Sequence, residues 1–258
     1  MTTQQTKSEI ILLIDSLQKI KEQNAKNKNC VAACDDALML ANDILQNKST
    51  KKYLLKITKH SGKMKNINSL STYKLVCDTC LKLKANQKTI CFNCYADNTL
   101  AMYKQLAPCL IYNTLLLKYT KLHARQIPVI NDLYFRFESF SDLQNEQHLL
   151  NLYAIARKNP FTRFALWTKN YKLLIHHKTP RNVNIILSSP FLNIPLWSFK
   201  TLSEILKNKC GAKNIKVFTV YDKEKYKNVL QNCAKSCASC LKCYKKNDKT
   251  IFINELLK

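Results

Sequence analysis

Eight of the twelve cysteines in this 258-residue chain fall into two tight sets. The first is Cys77-x2-Cys80-x10-Cys91-x2-Cys94, and the second is Cys233-x3-Cys237-x2-Cys240-x2-Cys243. A CxxC pair presents two sulfurs from one turn, and two such pairs can close a tetrahedral thiolate site around zinc. Thiolates also hold iron–sulfur clusters, and four cysteines within eleven positions resemble a ferredoxin run more than a zinc ribbon. Zinc and iron–sulfur stay open for the first set. The second points to iron–sulfur, although no proline follows Cys243. Tyr95 and Tyr244 each follow the last cysteine of a set and are expected to shield it from solvent. Cys30 and Cys34, four apart on one helical face, read as a packing pair, as do the isolated Cys109 and Cys210. His123, His148, His176 and His177 form no ligand-spaced set with a carboxylate.

The elements that must position these sulfurs alternate between two periods. Two helices are expected between about Ser8 and Gln46, with apolar stripes through Ile10, Leu13 and Leu17 and through Ala37, Leu40 and Ile44. Residues Lys51 to Leu70 read as basic and irregular. Strands are then expected at Tyr73–Val76, Leu133–Phe137, Arg163–Trp167, Val183–Leu187 and Lys216–Val220, with helices at Asn98–Tyr119, Leu143–Lys158, Asn170–His177 and Phe199–Asn208. That alternation predicts βαβ units. The fold class is α/β, a partial (βα) barrel or an open, mostly parallel sheet, with an N-terminal helical hairpin. Residues 1–50 form the helical extension and 51–258 the cysteine-rich α/β domain. With only Gly62 and Gly211 present, glycine-rich phosphate loops and dinucleotide fingerprints are excluded.

Chemistry in such sheets gathers beyond the carboxyl ends of the strands. The first expected strand runs into Cys77, the second into Glu138, Ser139 and Asp142, the third into Thr168 and Lys169, and the fourth into Ser188. Each of these polar residues alone reads as a helix cap or loop hydrogen bond. Their convergence predicts a polar rim beside the cysteines.

Lys and Arg number 42 against 17 Asp and Glu, a formal net charge of +25. Such a field attracts polyanions, nucleic acid first among them, but lysine spread evenly over solvated faces explains it as well. No apolar run reaches the roughly 18–20 residues of a membrane span. Met1-Thr2-Thr3-Gln4-Gln5 lacks a basic-then-apolar signal pattern, which predicts a cytoplasmic protein whose cysteines are reduced.

Several motifs in order resemble the phage gene product 88 family over about residues 60–255. They are Gly62-Lys63-Met64 through Ser71-Thr72, Ile90-Cys91-Phe92-Asn93-Cys94-Tyr95-Ala96, Ile127-Pro128-Val129-Ile130-Asn131-Asp132, Phe135-Arg136-Phe137-Glu138-Ser139-Phe140, Asn159-Pro160, Phe164-Ala165-Leu166-Trp167-Thr168-Lys169, Ser188-Ser189-Pro190, Val217-Phe218-Thr219-Val220-Tyr221-Asp222 and the final cysteine run. The cysteine-then-βα layout is in turn similar to radical S-adenosylmethionine proteins. The resemblance implies a phage or prophage protein of a bacterial host. It implies one or two 4Fe-4S clusters, the first on Cys77, Cys91 and Cys94 with one iron left open. It also implies an S-adenosylmethionine pocket lined by Glu138, Ser139, Asp142, Thr168, Lys169 and Ser188 and an electron donor, and the basic surface would fit a nucleic-acid substrate. Departures from that superfamily's pattern are the long spacing between Cys77 and Cys91 and the Ser139-Phe140 pair where glycines are usual. Two further expectations stand beside this one. The first is a non-enzymatic nucleic-acid-binding protein with structural zinc or iron–sulfur sites. The second is a single cluster shared between Cys77, Cys91, Cys94 and a C-terminal cysteine.

Overall fold

Six short strands form one parallel sheet in the computed structural model, which describes residues 3–196, 199–230, 232–233, 236–245 and 251–257, with the backbone alone for Phe199. They are β1 Asn68–Leu70, β2 Tyr134–Phe137, β3 Arg163–Thr168, β4 Val183–Ser188, β5 Ile215–Tyr221 and β6 Phe252–Leu256. Their order in space is their order in sequence, and each pairs in parallel with the next. This is the α/β architecture of an open sheet or partial barrel. The α-helices are α1 Gln4–Gln23, α2 Lys28–Leu45, α3 Asp78–Ala85, α4 Tyr95–Met102, α5 Leu106–Tyr119, α6 Glu146–Lys158, α7 Phe199–Cys210 and the single turns α8 Lys223–Tyr226 and α9 Cys237–Cys240.

Side chains alternate across a strand, so the two faces of the sheet carry different residues. Phe135, Phe137, Phe164, Leu166, Ile185 and Leu187 point to the helical side and share a core with Leu149, Leu152 and Ile155 of α6 and Leu202 and Leu206 of α7. Phe137 and Phe164 stack there at 4.6 Å between ring centroids. The opposite face carries Arg136, Trp167, Asn184, Lys216 and Glu255 among small and apolar residues. On it Ala165, Ile186, Phe218 and Ile253 form a second core with Tyr244. Helices therefore cover one face, and the C-terminal cysteine loop covers part of the other.

Three expected elements differ. Tyr73–Val76 is not a strand: β1 lies earlier, in the stretch read as irregular, and Lys74–Val76 is a 3-10 turn. Asn98–Tyr119 is two helices, because Pro108 is tolerated only in a first helical turn and α5 begins at Leu106 to accommodate it. Asn170–His177 is a 3-10 segment, Tyr171–His176. β6 had no counterpart in the sequence reading.

The N-terminal hairpin forms as expected. Thr3 caps α1 by accepting from Thr6 N, and Asn27 caps α2 by accepting from Cys30 N. Its apolar face, including Ile10, Leu13, Cys30, Cys34 and Leu40, joins the core beneath the sheet. It also reaches the first cysteine set through a relay. Glu9 Oε2 of α1 lies 2.7 Å from the buried Lys118 Nζ of α5, and Lys118 donates at 2.6 Å to the carbonyl of Val76, the residue before Cys77. Replacing Lys118 with Met strands that carbonyl and leaves Glu9 without its cation, held only by the Tyr119 hydroxyl at 2.8 Å. The expected loss is about 2–4 kcal/mol of unfolding free energy in urea. Among the described residues no helix is long and apolar enough to cross a membrane.

Candidate metal centre and ligand cavity

A cavity of about 700 Å³ opens at the carboxyl end and free face of the sheet. Seven of the eight clustered cysteines line it: Cys80, Cys91 and Cys94 from the first set, and Cys233, Cys237, Cys240 and Cys243 from the second. Cys77 does not. It caps α3 in full burial, with its sulfur 3.9 Å from the carbonyl of Asp142, and its thiol interacts with that of Cys80.

Local structure holds the first set in place. Cys80 rides on α3, Cys94 caps α4, and Asp97 of α4 ion-pairs with both Lys74 and Lys84, tying the two helices together. The turn carrying Cys91 is pinned to the exit of β4, where Ile90 N donates to Pro190 O at 2.9 Å. The second set is anchored to the free face of the sheet. Asn184 of β4 donates to the carbonyls of Cys243 and Tyr244 at 2.9 and 2.8 Å, and Lys216 of β5 donates to that of Lys242. Leu241 adopts the left-handed conformation that ends α9, and Lys63 donates to Cys233 Sγ at 3.1 Å while pairing with Glu255. Tyr244 is buried against Tyr134, as a shielding residue would be, whereas Tyr95 is 59% exposed, with its hydroxyl donating to Ser139 O.

Each set has its own cations. Lys74 and Lys169 stand within electrostatic reach of Cys80 and Cys91, and Lys63 and Arg136 within reach of Cys237. Burial pushes the Cys91, Cys233 and Cys237 thiols up and Cys243 up to about 12, while the hydrogen bond with Cys77 and then burial push up Cys80. Without a bound cation these sulfurs keep their protons, and a metal would have to displace them. Among the described residues no group of three or more His, Cys, Asp or Glu side chains is arranged to hold a single metal ion. The donor set itself is soft thiolate, the chemistry that iron–sulfur clusters and zinc take. A cluster spreads its thiolates over several irons, so it suits sulfurs that line a common cavity better than one zinc does.

The expected rim residues do converge, in three different ways. Asp142 is 4% exposed, and both of its carboxylate oxygens are occupied: Oδ1 accepts from Thr168 Oγ1 at 2.5 Å and from Leu143 N at 2.7 Å, and Oδ2 from Lys169 N at 2.8 Å. It welds the exit of β2 to that of β3. Glu138 sits in the left-handed region (φ +59°) with its carboxylate held by the Thr72 hydroxyl at 3.2 and 3.3 Å. Burial raises its pKa, and the neighbouring His148 opposes that rise. Ser139, Lys169 and Ser188 line the cavity, as Thr168 does behind them.

Sequence spacing missed two cavity-lining side chains, Arg136 and Trp167, and two histidine–carboxylate contacts made by histidines outside that lining. His148 Nε2 lies 3.2 Å from Glu138 Oε1 in full burial, close enough to pair but poorly aligned for a hydrogen bond, and His177 lies 2.9 Å from Glu146. Histidine–carboxylate pairs are therefore present, at separations that match no helix or turn period. Arg136 and Trp167 project from the free face, with the guanidinium 4.3 Å from the indole centroid. An apolar–polar alternation along β2 was the one available signal for Arg136.

His60, beside the rim, makes a pH prediction. Its ring stacks on Phe140 and its Nε2 lies 2.7 Å from Ser69 Oγ. Burial, then the charge of Arg136, pushes its pKa from 6.5 down to about 4. A depressed folded value favours the neutral ring, so stability present above pH 6.5 drains away as pH falls toward 4. The expected loss is about 1–2 kcal/mol after screening by solvent. Urea unfolding across that range should show a flatter profile for His60→Gln.

No protein-family model, curated protein or solved structure matches this chain.

Proposed function

We propose that the protein is a phage-type iron–sulfur protein, similar to the gene product 88 family, whose cysteine-lined cavity is the site of a radical S-adenosylmethionine-like reaction on nucleic acid. One observation carries the reading. Cysteines from two distant stretches of chain line the same cavity at the carboxyl end of a sequentially ordered parallel sheet. Structural zinc sites staple loops and need no cavity between them, and two separate zinc knuckles would have no reason to face one another.

In this reading Cys80, Cys91 and Cys94, with Cys77 behind them, hold the first cluster, and Cys233, Cys237, Cys240 and Cys243 hold the second. An iron–sulfur cluster with an open iron supplies a low-potential electron and a seat for the amino-acid end of S-adenosylmethionine. The chain's own residues do the rest. Lys74, Lys63 and Arg136 offset thiolate charge, Tyr244 and Trp167 keep water from the free face of the sheet, and Asp142 fixes the rim. The carboxylate of Glu138 is committed to Thr72, so the cofactor's ammonium would have to displace that contact. The net charge of +25 supports a nucleic-acid substrate, and an electron donor of the host cytoplasm completes the scheme.

Anaerobic purification followed by iron, sulfide and zinc analysis is the test. The reading expects brown protein with iron and sulfide in equal amounts, and 5′-deoxyadenosine on addition of dithionite and S-adenosylmethionine. Colourless protein with stoichiometric zinc overturns it in favour of a structural metalloprotein that binds nucleic acid. A reconstituted cluster that yields no 5′-deoxyadenosine overturns the enzymatic half alone.

A further inference from the structure

The polar groups around the cavity are mostly spoken for. Lys63 pairs with Glu255, Lys74 with Asp97, Asp142 with the β3 exit and Glu138 with Thr72. Among the groups left over, four at the exits of β2 and β3 are hydrogen-bond donors. Ser139 is 4% exposed, yet its hydroxyl has no partner among the described residues. The buried Nε1 of Trp167 likewise has none. Lys169 and Arg136 make no ion pair with a carboxylate among the described residues; the guanidinium reaches only the Glu138 carbonyl and Met64 Sδ.

These donors sit together. All four line the cavity, at the ends of the paired strands β2 and β3. Arg136 covers the Trp167 ring, and Tyr95, which bonds the Ser139 carbonyl, stands within electrostatic reach of both cations. A buried donor without an acceptor costs about 1–3 kcal/mol, so a cluster of them marks a place that an acceptor-rich group completes. Two cations among them require that group to be negative.

We infer that Arg136, Ser139, Trp167 and Lys169 form an oxyanion subsite that binds the phosphate or carboxylate group of a small-molecule ligand. The cavity volume, about 700 Å³, falls within the range of small-molecule sites. The inference deepens the proposed function and rests on its assignment of this cavity as the ligand site. Anion capture itself needs no metal.

Titration calorimetry of the full chain with pyrophosphate and with citrate tests it, separating phosphate from carboxylate selectivity. Both metal-free and anaerobically purified protein are titrated. Saturable binding of one probe is expected, weakened roughly tenfold by Lys169→Gln and a few-fold by Ser139→Ala, as for loss of a charged and a neutral partner. Lys121→Gln, an exposed lysine outside the cavity, should leave affinity unchanged. Circular dichroism and urea midpoints establish that the variants fold. Absence of binding by either probe overturns the inference, as does equal affinity of the wild type and both cavity variants. A Lys169→Gln protein that loses iron but keeps its probe affinity also overturns it, since the ammonium would then serve only to balance thiolate charge. Anaerobically purified wild type that carries no iron yet binds the probe overturns the cluster reading and leaves the subsite standing.

Discussion

Serine at both Cys91 and Cys94 is expected to remove about half of the iron from anaerobically purified protein, and serine at both Cys237 and Cys240 the other half. The expectation of two clusters rather than one rests on how the sets are built. The first hangs on α3 and α4 and is pinned by Pro190 and Asp97; the second hangs on Asn184 and Lys216 of the sheet. Each has its own lysine neighbours. The eight cysteines fall into two separately anchored sets, so losing two ligands from one set should leave the other loaded. Complete loss of iron from either double variant would instead mean one shared cluster. Iron, sulfide and the visible spectrum of each variant decide between them.

Asp142→Ala is expected to cost about 3 kcal/mol or more, the largest penalty of any single rim substitution. The carboxylate is almost wholly buried and satisfies three donors: the Thr168 hydroxyl and the backbone N–H groups of Leu143 and Lys169. Alanine leaves all three without an acceptor. Asparagine keeps one oxygen but turns an amide N–H toward a donor, so Asp142→Asn should lose roughly half as much. Urea unfolding of the two variants gives the ordering. If Asp142→Ala unfolds with the wild type, the bridge between the two strand exits is not what holds the rim.

Strands β2 to β5 were legible because each is buried on at least one face and reads as a short apolar run between turn residues. The edges were not. Asn68-Ser69-Leu70 and Phe252-Ile253-Asn254-Glu255-Leu256 mix polar residues into both faces, and β1 is only three residues long. Seen in sequence, β1 vanished into a basic stretch and its place was given to Tyr73–Val76, where the chain already turns. The cysteine sets were legible as sets, since ligand spacing is local. Their meeting in one cavity was not, because it depends on the final loop lying across the free face beneath Asn184 and Lys216. The same holds for Glu138 and His148, which are brought together by a strand end and the first turn of α6. The rim residues share one cavity, but their roles were not legible: Asp142 is a weld between strand exits and Ser139 an unmatched donor.

The contact from Glu9 through Lys118 to the Val76 carbonyl bears on how this protein can be shortened. The first fifty residues look dispensable, a pair of helices ahead of the motif-bearing portion. Yet α1 holds the far end of a strut whose near end braces the peptide leading into the first sulfur ligand. Cutting the hairpin away would unroof α5 and free that strut at once, so a trimmed version should show its first symptom at the cysteines rather than at the cut.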